Sequence, residues 1–377
     1  MRKIRVLHVI SRFTAGGVEK WLVDLDSTLS TSDQIELDYW CISGKRADWD
    51  EFVSGKIYYS PNIERGKIRF LLSIASGEIS FQSYDIVHLH LYRFSSIMAV
   101  FLKYAGARRI VVHSHNDKRS LERSLRLPKK ILSKVYGWLS KFLFNILKPY
   151  KVGASNDAIQ DLFGNRHFPP IPERIFCGVK VKNHLSKEKE AELREEFSLQ
   201  KNTPCLVTVG SLTPQKNQIF LLNVSKYLKK LDIKFKLLII GDGELRRSLE
   251  ERIVEDRLDA NVVLTGNRTD VQEILQNIGN IFLFPSAFEG LGLAFVEAQH
   301  SGLECVISDR VPNEAIFRQD LVATLSLDSY ELWGEKIKNI LALDYHQKIV
   351  EECSPFTIEM SAVNFNKFYD SIALDDE

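Results

Sequence analysis

No stretch of this sequence approaches the roughly 20 uninterrupted apolar residues that a membrane span requires, so no transmembrane helix is expected. An excess of one charge is also missing. The 50 Lys and Arg nearly balance the 49 Asp and Glu, leaving a net charge of +1, which argues against a dedicated nucleic-acid binder. The five cysteines (Cys41, Cys177, Cys205, Cys305 and Cys353) form no C-x-x-C pair. That excludes a disulfide frame and a cysteine zinc site, and fits a reduced, cytosolic setting. Internal repeats of short period and low-complexity segments are absent. Met1-Arg2-Lys3 leads directly into an apolar strand pattern, so no secretory signal is expected.

What is present is a 377-residue chain, 45% apolar, long enough for two or three domains. Strand and helix patterns alternate nearly throughout, which predicts an α/β class with parallel sheets. Strands are expected at 4–10, 35–42, 84–89, 109–113 and 151–154, then at 205–209, 236–240, 262–265, 281–284 and 305–308. Between the two sets, Pro169, Pro170, Pro172 and a charged helix at 186–196 mark a junction. The expected division is a first domain over 1–170 and a second over 171–355. A C-terminal helix at about 356–377 crosses back to the first.

The stretch FPSAFEGLGLAFVEA, residues 284–298, carries the densest chemistry. A buried strand passes through Gly290-Leu291-Gly292 into a helix beginning near Leu293, and such a turn presents backbone N–H groups and a positive dipole end to an anion. Glu289 precedes the turn and Glu297 lies two helical turns in, so both can face one cleft. Carboxylates beside an anion-attracting dipole suit a ligand with a phosphate end and a hydroxyl-rich end, such as a nucleotide-sugar. Further glycine turns follow strands at Gly16-Gly17, Gly210-Ser211 and Gly241-Asp242-Gly243, where open α/β sheets bind ligands. Lys216, at a helix start, opposes the dipole unless an anion sits there.

His88, His90, His113 and His115 end two strands, where neutral imidazoles can meet a sugar hydroxyl or serve as satisfied core groups. Without a carboxylate or cysteine partner they make a poor zinc site. Asp24-Leu25-Asp26 mimics a metal-binding D-x-D but lies in a helix, and is read as a solvated face with no metal. From Lys118 to Lys151 the chain has ten Lys or Arg and one acid, Glu122. There Lys130, Lys134, Lys141 and Lys148 flank an apolar helical stripe through Ile131, Val135, Leu139 and Ile146. This pattern suits either a core-packed helix with a solvated basic face or a helix lying on an anionic membrane. No RNA-binding module accompanies it.

On the motifs GGVEK, DIVHLH, VVHSHN, GAS, IFCGVK, VGSLTPQKNQ, IIGDGE and SAFEGLGLAFVEA, the chain resembles the retaining glycosyltransferases of the GT-B fold, family 4. Among these it looks like those that build bacterial capsular and exopolysaccharides. The resemblance implies two facing Rossmann-like, doubly wound domains with an interdomain cleft. It implies a nucleotide-sugar donor, a glycan or lipid-linked glycan acceptor, and no cofactor or metal. By the same resemblance Glu297 would bind the donor ribose and Glu289 a hydroxyl of the transferred sugar. The amides from Gly290 to Leu293 would hold sugar and diphosphate, with Lys216 on the diphosphate and Gly16 or Gly17 approaching it. His115 would lie beside the reacting sugar and Arg268 would border the base.

One departure stands out: Ser211 replaces the arginine usual in the family after Gly210, leaving Arg12, Arg93 or Arg268 as substitutes. The expected reaction is front-face transfer with retention from a UDP-sugar, in the cytoplasm, with a peripheral seat on the inner membrane face if the basic helix binds lipid. A catalytically silent nucleotide-sugar binder and a GT-B epimerase are the alternatives.

Overall fold

The computed structural model describes residues 2–13, 16–30, 34–47, 49–60, 63, 66–74, 79–116, 127–165, 169–343, 350 and 353–373. Two compact units divide the chain: Met1–Lys180 with Pro355–Glu377, and Val181–Ser354.

In the first unit, strands β1 (Ile4–Ile10), β2 (Ile35–Cys41), β3 (Ile57–Tyr59), β4 (Ile86–Leu89), β5 (Arg109–Ser114), β6 (Tyr150–Gly153) and β7 (Glu173–Arg174) form one sheet. Its order is β3-β2-β1-β4-β5-β6-β7, and the paired strands are parallel. Helices α1 (Gly17–Leu29), α2 (Lys67–Ser73), α3 (Phe94–Tyr104), α4 (Leu127–Leu147) and α5 (Asn156–Phe163) belong to this unit. The central strands are near-continuous apolar runs because helices cover both faces. Val6, Leu7, Val9, Ile86, Val87, Val111 and Val112 are all fully buried. Ser155 starts α5 by accepting from Ala158 N at 3.1 Å, satisfying one of the helix's orphan donors.

The second unit holds β8 (Cys205–Val209), β9 (Lys236–Ile240), β10 (Val262–Gly266), β11 (Gly279–Phe284), β12 (Glu304–Ser308) and β13 (Val322–Leu325) in the order β10-β9-β8-β11-β12-β13, again parallel. Its helices are α6 (Lys187–Glu196), α7 (Gln218–Lys230), α8 (Arg246–Glu255), α9 (Val271–Asn277), α10 (Leu293–His300) and α11 (Tyr330–Leu341). Strand order reverses between β8 and β11, the switch point at whose carboxyl ends such sheets bind ligands. Trp333 of α11 is wholly buried against Phe220, with ring centroids 5.2 Å apart, and its indole N–H donates to Ser326 O at 2.9 Å. Losing such a side chain costs roughly 3–5 kcal/mol.

The chain returns to the first unit through α12 (Ile358–Ala373). Trp21 of α1 donates its indole N–H to Ser361 Oγ at 3.0 Å, and Phe365 and Tyr369 are fully buried. Val179 N donates to Phe356 O at 2.8 Å and Ile358 N to Val179 O at 2.9 Å.

The unit boundary falls at Lys180/Val181, ten residues beyond the expected 170/171. The reason is β7, which pairs with β6, and Ile175 N, which donates to Gly153 O at 3.1 Å. Sequence periodicity also misses β3, β7 and β13. All three are short edge strands without a buried apolar run. The D-x-D reading needs correction at Asp26. Its carboxylate is buried and accepts from Tyr39 OH at 3.0 Å and Ser54 N at 2.6 Å, so it clamps β2 and the Ser54 backbone instead of facing solvent.

Candidate functional site

In the second unit the loops following β8 and β11 are stitched together. Ala287 N donates to Gln215 O at 2.8 Å, Gln215 Nε2 to Phe288 O at 3.0 Å, and Asn217 Nδ2 to Pro285 O at 3.2 Å. Asn217 caps α7 from the left-handed region with φ of 55°, a conformation its short polar side chain tolerates. This stitching brings Lys216 onto Glu289, with Nζ donating to Oε1 at 2.5 Å. The ammonium also lies 5.0 Å from the centre of the Phe284 ring. Glu289 is only 5% exposed and Glu297 only 6%.

Lys216 sits two residues ahead of α7, not in its first turn, and the anion that balances it here is Glu289. Gly290, Leu291 and Gly292 are buried and Leu293 begins α10. Gly292 caps that helix with φ of +88°, and a Cβ there would meet the Phe284 ring at 2.9 Å, so glycine is required twice over. Ser211 is exposed beside Gly210, and its carbonyl accepts from Gln218 Nε2 at 3.0 Å.

Arg268 stands apart from this group. Its guanidinium pairs with Glu196 at 2.5 Å and with Asp270 at 2.8 Å, which pushes its pKa up and matches its charge twice. Arg93 is similarly engaged in the first unit. It lies 3.7 Å from Asp161 and donates to Ser133 O at 3.0 Å. Of the three arginines that could replace the one missing at Ser211, only Arg12 has no carboxylate partner among the described residues.

In the first unit Gly16 caps α1 and Gly17 opens it. Five histidines gather on one face of the sheet: His8 of β1, His88 of β4, His113 of β5, and His90 and His115 just beyond those strand ends. His8 faces Tyr39 and His88 across the ladder. Residues two apart on a strand share a face, which is how each H-x-H delivers both rings. His88 and His90 rings lie 4.4 Å apart, His113 and His115 3.8 Å. Nδ1 of His8 is 2.9 Å from Nε2 of His90, and Nδ1 of His90 is 2.7 Å from Nε2 of His115. Nδ1 of His115 lies 3.6 Å from Cys177 Sγ, and His88 Nδ1 is 2.7 Å from Tyr369 OH.

Burial lowers every one of these imidazoles, His8 and His115 to about 3. His88, His90 and His113 fall well below 6.5, first from burial and then from their neighbouring rings. Sequence reading missed His8, Cys177 and Tyr369. A polar histidine in the middle of IRVLHVI was the available signal for the first, while the other two meet the cluster only through the fold.

Helix α4 turns its apolar stripe outward. Leu132 is 70% exposed, Trp138 67% and Ile131 55%, while Gly137, Ser140 and Phe144 form the buried side. The core-packed reading of that stripe is thereby corrected: these residues flank Ser140 and Gly137, the small side chains on which the helix actually rests. Lys134 and Lys148 are exposed and Lys130 and Lys141 half-buried. Residues 118–126 of the basic run lie outside the described residues.

Two doubly wound parallel sheets, the second with the buried carboxylates Glu289 and Glu297 in the loop and helix after β11, are the architecture of the GT-B fold. Residues 189–353 match the family described as Glycosyl transferases group 1. Along most of its length the chain is similar to EpsF of Bacillus subtilis, with 27% identity over 90% of this chain and 88% of that one. It is also similar to the UDP-Gal:alpha-D-GlcNAc-diphosphoundecaprenol alpha-1,3-galactosyltransferase of Escherichia coli, with 25% identity covering 92% of each. Among solved structures, HepE of Anabaena in complex with UDP-glucose superposes with a TM-score of 0.74 at 15% identity, covering 98% of this chain and 97% of that one.

Proposed function

We propose that this chain transfers a sugar from a UDP-sugar to a hydroxyl of a lipid-linked glycan in surface polysaccharide assembly, with retention at the anomeric carbon and without a metal. The observation that carries this is the Lys216–Glu289 pair at the switch point of the second sheet. A diphosphate arriving there competes with Glu289 for the ammonium. Once released, the Glu289 carboxylate accepts a hydrogen bond from a hydroxyl of the sugar. The amides from Gly290 to Leu293 add donors where charge grows on the leaving diphosphate, and stabilising that charge is the main catalytic contribution. Glu297 takes the ribose hydroxyls. The leaving diphosphate helps deprotonate the acceptor on the same face.

Supporting the donor class is the UDP-glucose complex of HepE, and supporting the acceptor class is the activity for which the Escherichia coli relative is named. The outward apolar stripe of α4, edged by Lys130, Lys134, Lys141 and Lys148, suits an anionic bilayer surface where such an acceptor resides. Incubation with a panel of UDP-sugars and a membrane extract tests the reading. Transfer or slow hydrolysis is expected, and Glu289→Ala or Lys216→Ala should lower turnover by about 100-fold. Wild-type rates in both variants would refute the site. An epimerised sugar still joined to UDP, or binding without turnover, would replace the transferase by an epimerase or a silent binder.

A further inference from the structure

The histidine cluster contains a chain of contacts with a direction. We propose that His8 and His90 are positioning residues that fix His115 as the tautomer protonated on Nδ1, through a hydrogen-bonded relay His8–His90–His115. The effect on turnover rests on the transferase reading above; the tautomer itself does not.

Metal ligation is a poor description of these contacts. Two imidazole nitrogens on a tetrahedral zinc would stand roughly 3.3 Å apart, whereas the successive links here are 2.9 and 2.7 Å. Those are hydrogen-bond lengths. Each neutral imidazole has one N–H and one lone pair, so the direction of one link dictates the next.

The far end of the chain sets that direction. Among the described residues, Nε2 of His8 is buried with no hydrogen-bond partner. An orphaned buried N–H is a rarer and costlier arrangement than an unused lone pair. The His8 proton therefore sits on Nδ1 and is donated to Nε2 of His90. His90 must then carry its own proton on Nδ1, donated to Nε2 of His115. His115 is left with Nδ1–H, aimed at the Cys177 sulfur 3.6 Å away. Sulfur is a weak acceptor, and a sugar oxygen would displace it readily. Among the described residues the other titratable rings against these three histidines are Tyr39, Tyr369, His88 and His113. Burial keeps both phenols and the Cys177 thiol protonated and the imidazoles neutral, so no charge opposes this direction.

The test uses the full chain labelled with 15N-histidine. At neutral pH His115 is expected to show a protonated Nδ1 and a bare Nε2, its signals assigned by their loss in His115→Gln. Two near-isosteric changes at His90 then separate relay from packing. In His90→Asn the side-chain amide can occupy the place of Nδ1 and still donate to His115. In His90→Gln the amide reaches towards His8 and leaves His115 without its donor. The Gln variant should shift the His115 proton towards Nε2 and lower turnover about tenfold or more, and the Asn variant should restore most of that loss.

An Nε2-protonated His115 in the unaltered chain would overturn the proposal, as would identical tautomers in the two variants or stoichiometric zinc on the purified protein. If His90→Gln fails to fold, the spectrum of the unaltered chain decides alone. Absence of turnover with every UDP-sugar would remove the transferase reading and leave the tautomer measurement standing.

Discussion

Gly178 shows how much one methyl group can decide. A Cβ at this position would lie 2.1 Å from Thr357 O and 2.8 Å from Ile358 Cα, both backbone atoms that cannot swing aside. In the same place Val179 N donates to Phe356 O and Val179 O accepts from Ile358 N, so the segment leading into α12 lies flat against the junction. Gly178→Ala should therefore destabilise the first unit by about 3 kcal/mol, the upper end of overpacking costs. Thermal unfolding of the full chain would register this as a drop of several degrees, and an unchanged midpoint would show that the segment can shift. From sequence IFCGVK is one motif of the resemblance and no more, because nothing local reveals that a segment more than 170 residues away presses on the glycine. The same limit applied to Lys216. Its position ahead of a helix was legible and called for an anion, but that Glu289 supplies it depends on two loops meeting.

Helix α4 separates what periodicity reveals from what it leaves open. The 3.6-residue spacing of Ile131, Val135, Leu139 and Ile146 establishes a helix with an apolar side, yet the same spacing serves a buried helix and one lying on a membrane. What settles the orientation is the opposite face, where Gly137 and Ser140 are small enough to seat the helix near Arg93 and Ser96. Arg93 donates to Ser133 O at 3.0 Å, and Ser140 Oγ lies 3.2 Å from Ser96 Oγ. Trp138 and Phe142 stack outward with ring centroids 5.5 Å apart, an arrangement suited to a bilayer interface. The chain should co-sediment with phosphatidylglycerol vesicles but not with phosphatidylcholine, and Trp138 emission should shift to the blue on binding. Each exposed lysine contributes about 1 kcal/mol, so Lys134→Glu with Lys148→Glu should weaken binding by at least tenfold. Equal binding to neutral vesicles, or none to anionic ones, would exclude this face as the membrane seat.

Over the whole molecule, the repeated alternation of strand and helix made both parallel sheets legible, and the central strands stand within two residues of their expected limits. The edge strands β3, β7 and β13 escaped because they are short and carry no buried apolar run, whereas the edge strand β10 was legible from its Val262-Val263-Leu264 run. Four of the clustered histidines were legible at two strand ends, but His8 was not, because only the order β1-β4-β5 makes its strand their neighbour. That cluster has a consequence for the stability of the fold against acid. In the folded chain five imidazoles stay neutral, with His8 and His115 lowered to about 3 and the other three well below 6.5. Once unfolded they titrate near 6.5, so below that pH the unfolded chain binds more protons than the folded one. Stability must then rise with pH, being fully present above about 7 and lost progressively as pH falls from 6.5 towards 3. Each proton taken up on unfolding adds a slope of up to about 1.4 kcal/mol per pH unit. Calorimetric unfolding between pH 7.5 and 5.5, a range that avoids most carboxylate titration, should show the midpoint falling steadily below pH 6.5. Replacing His113 by Phe, which keeps a buried ring and removes one titrating group, should flatten that fall. A midpoint independent of pH over this interval would mean that the buried imidazoles already carry protons in the folded chain.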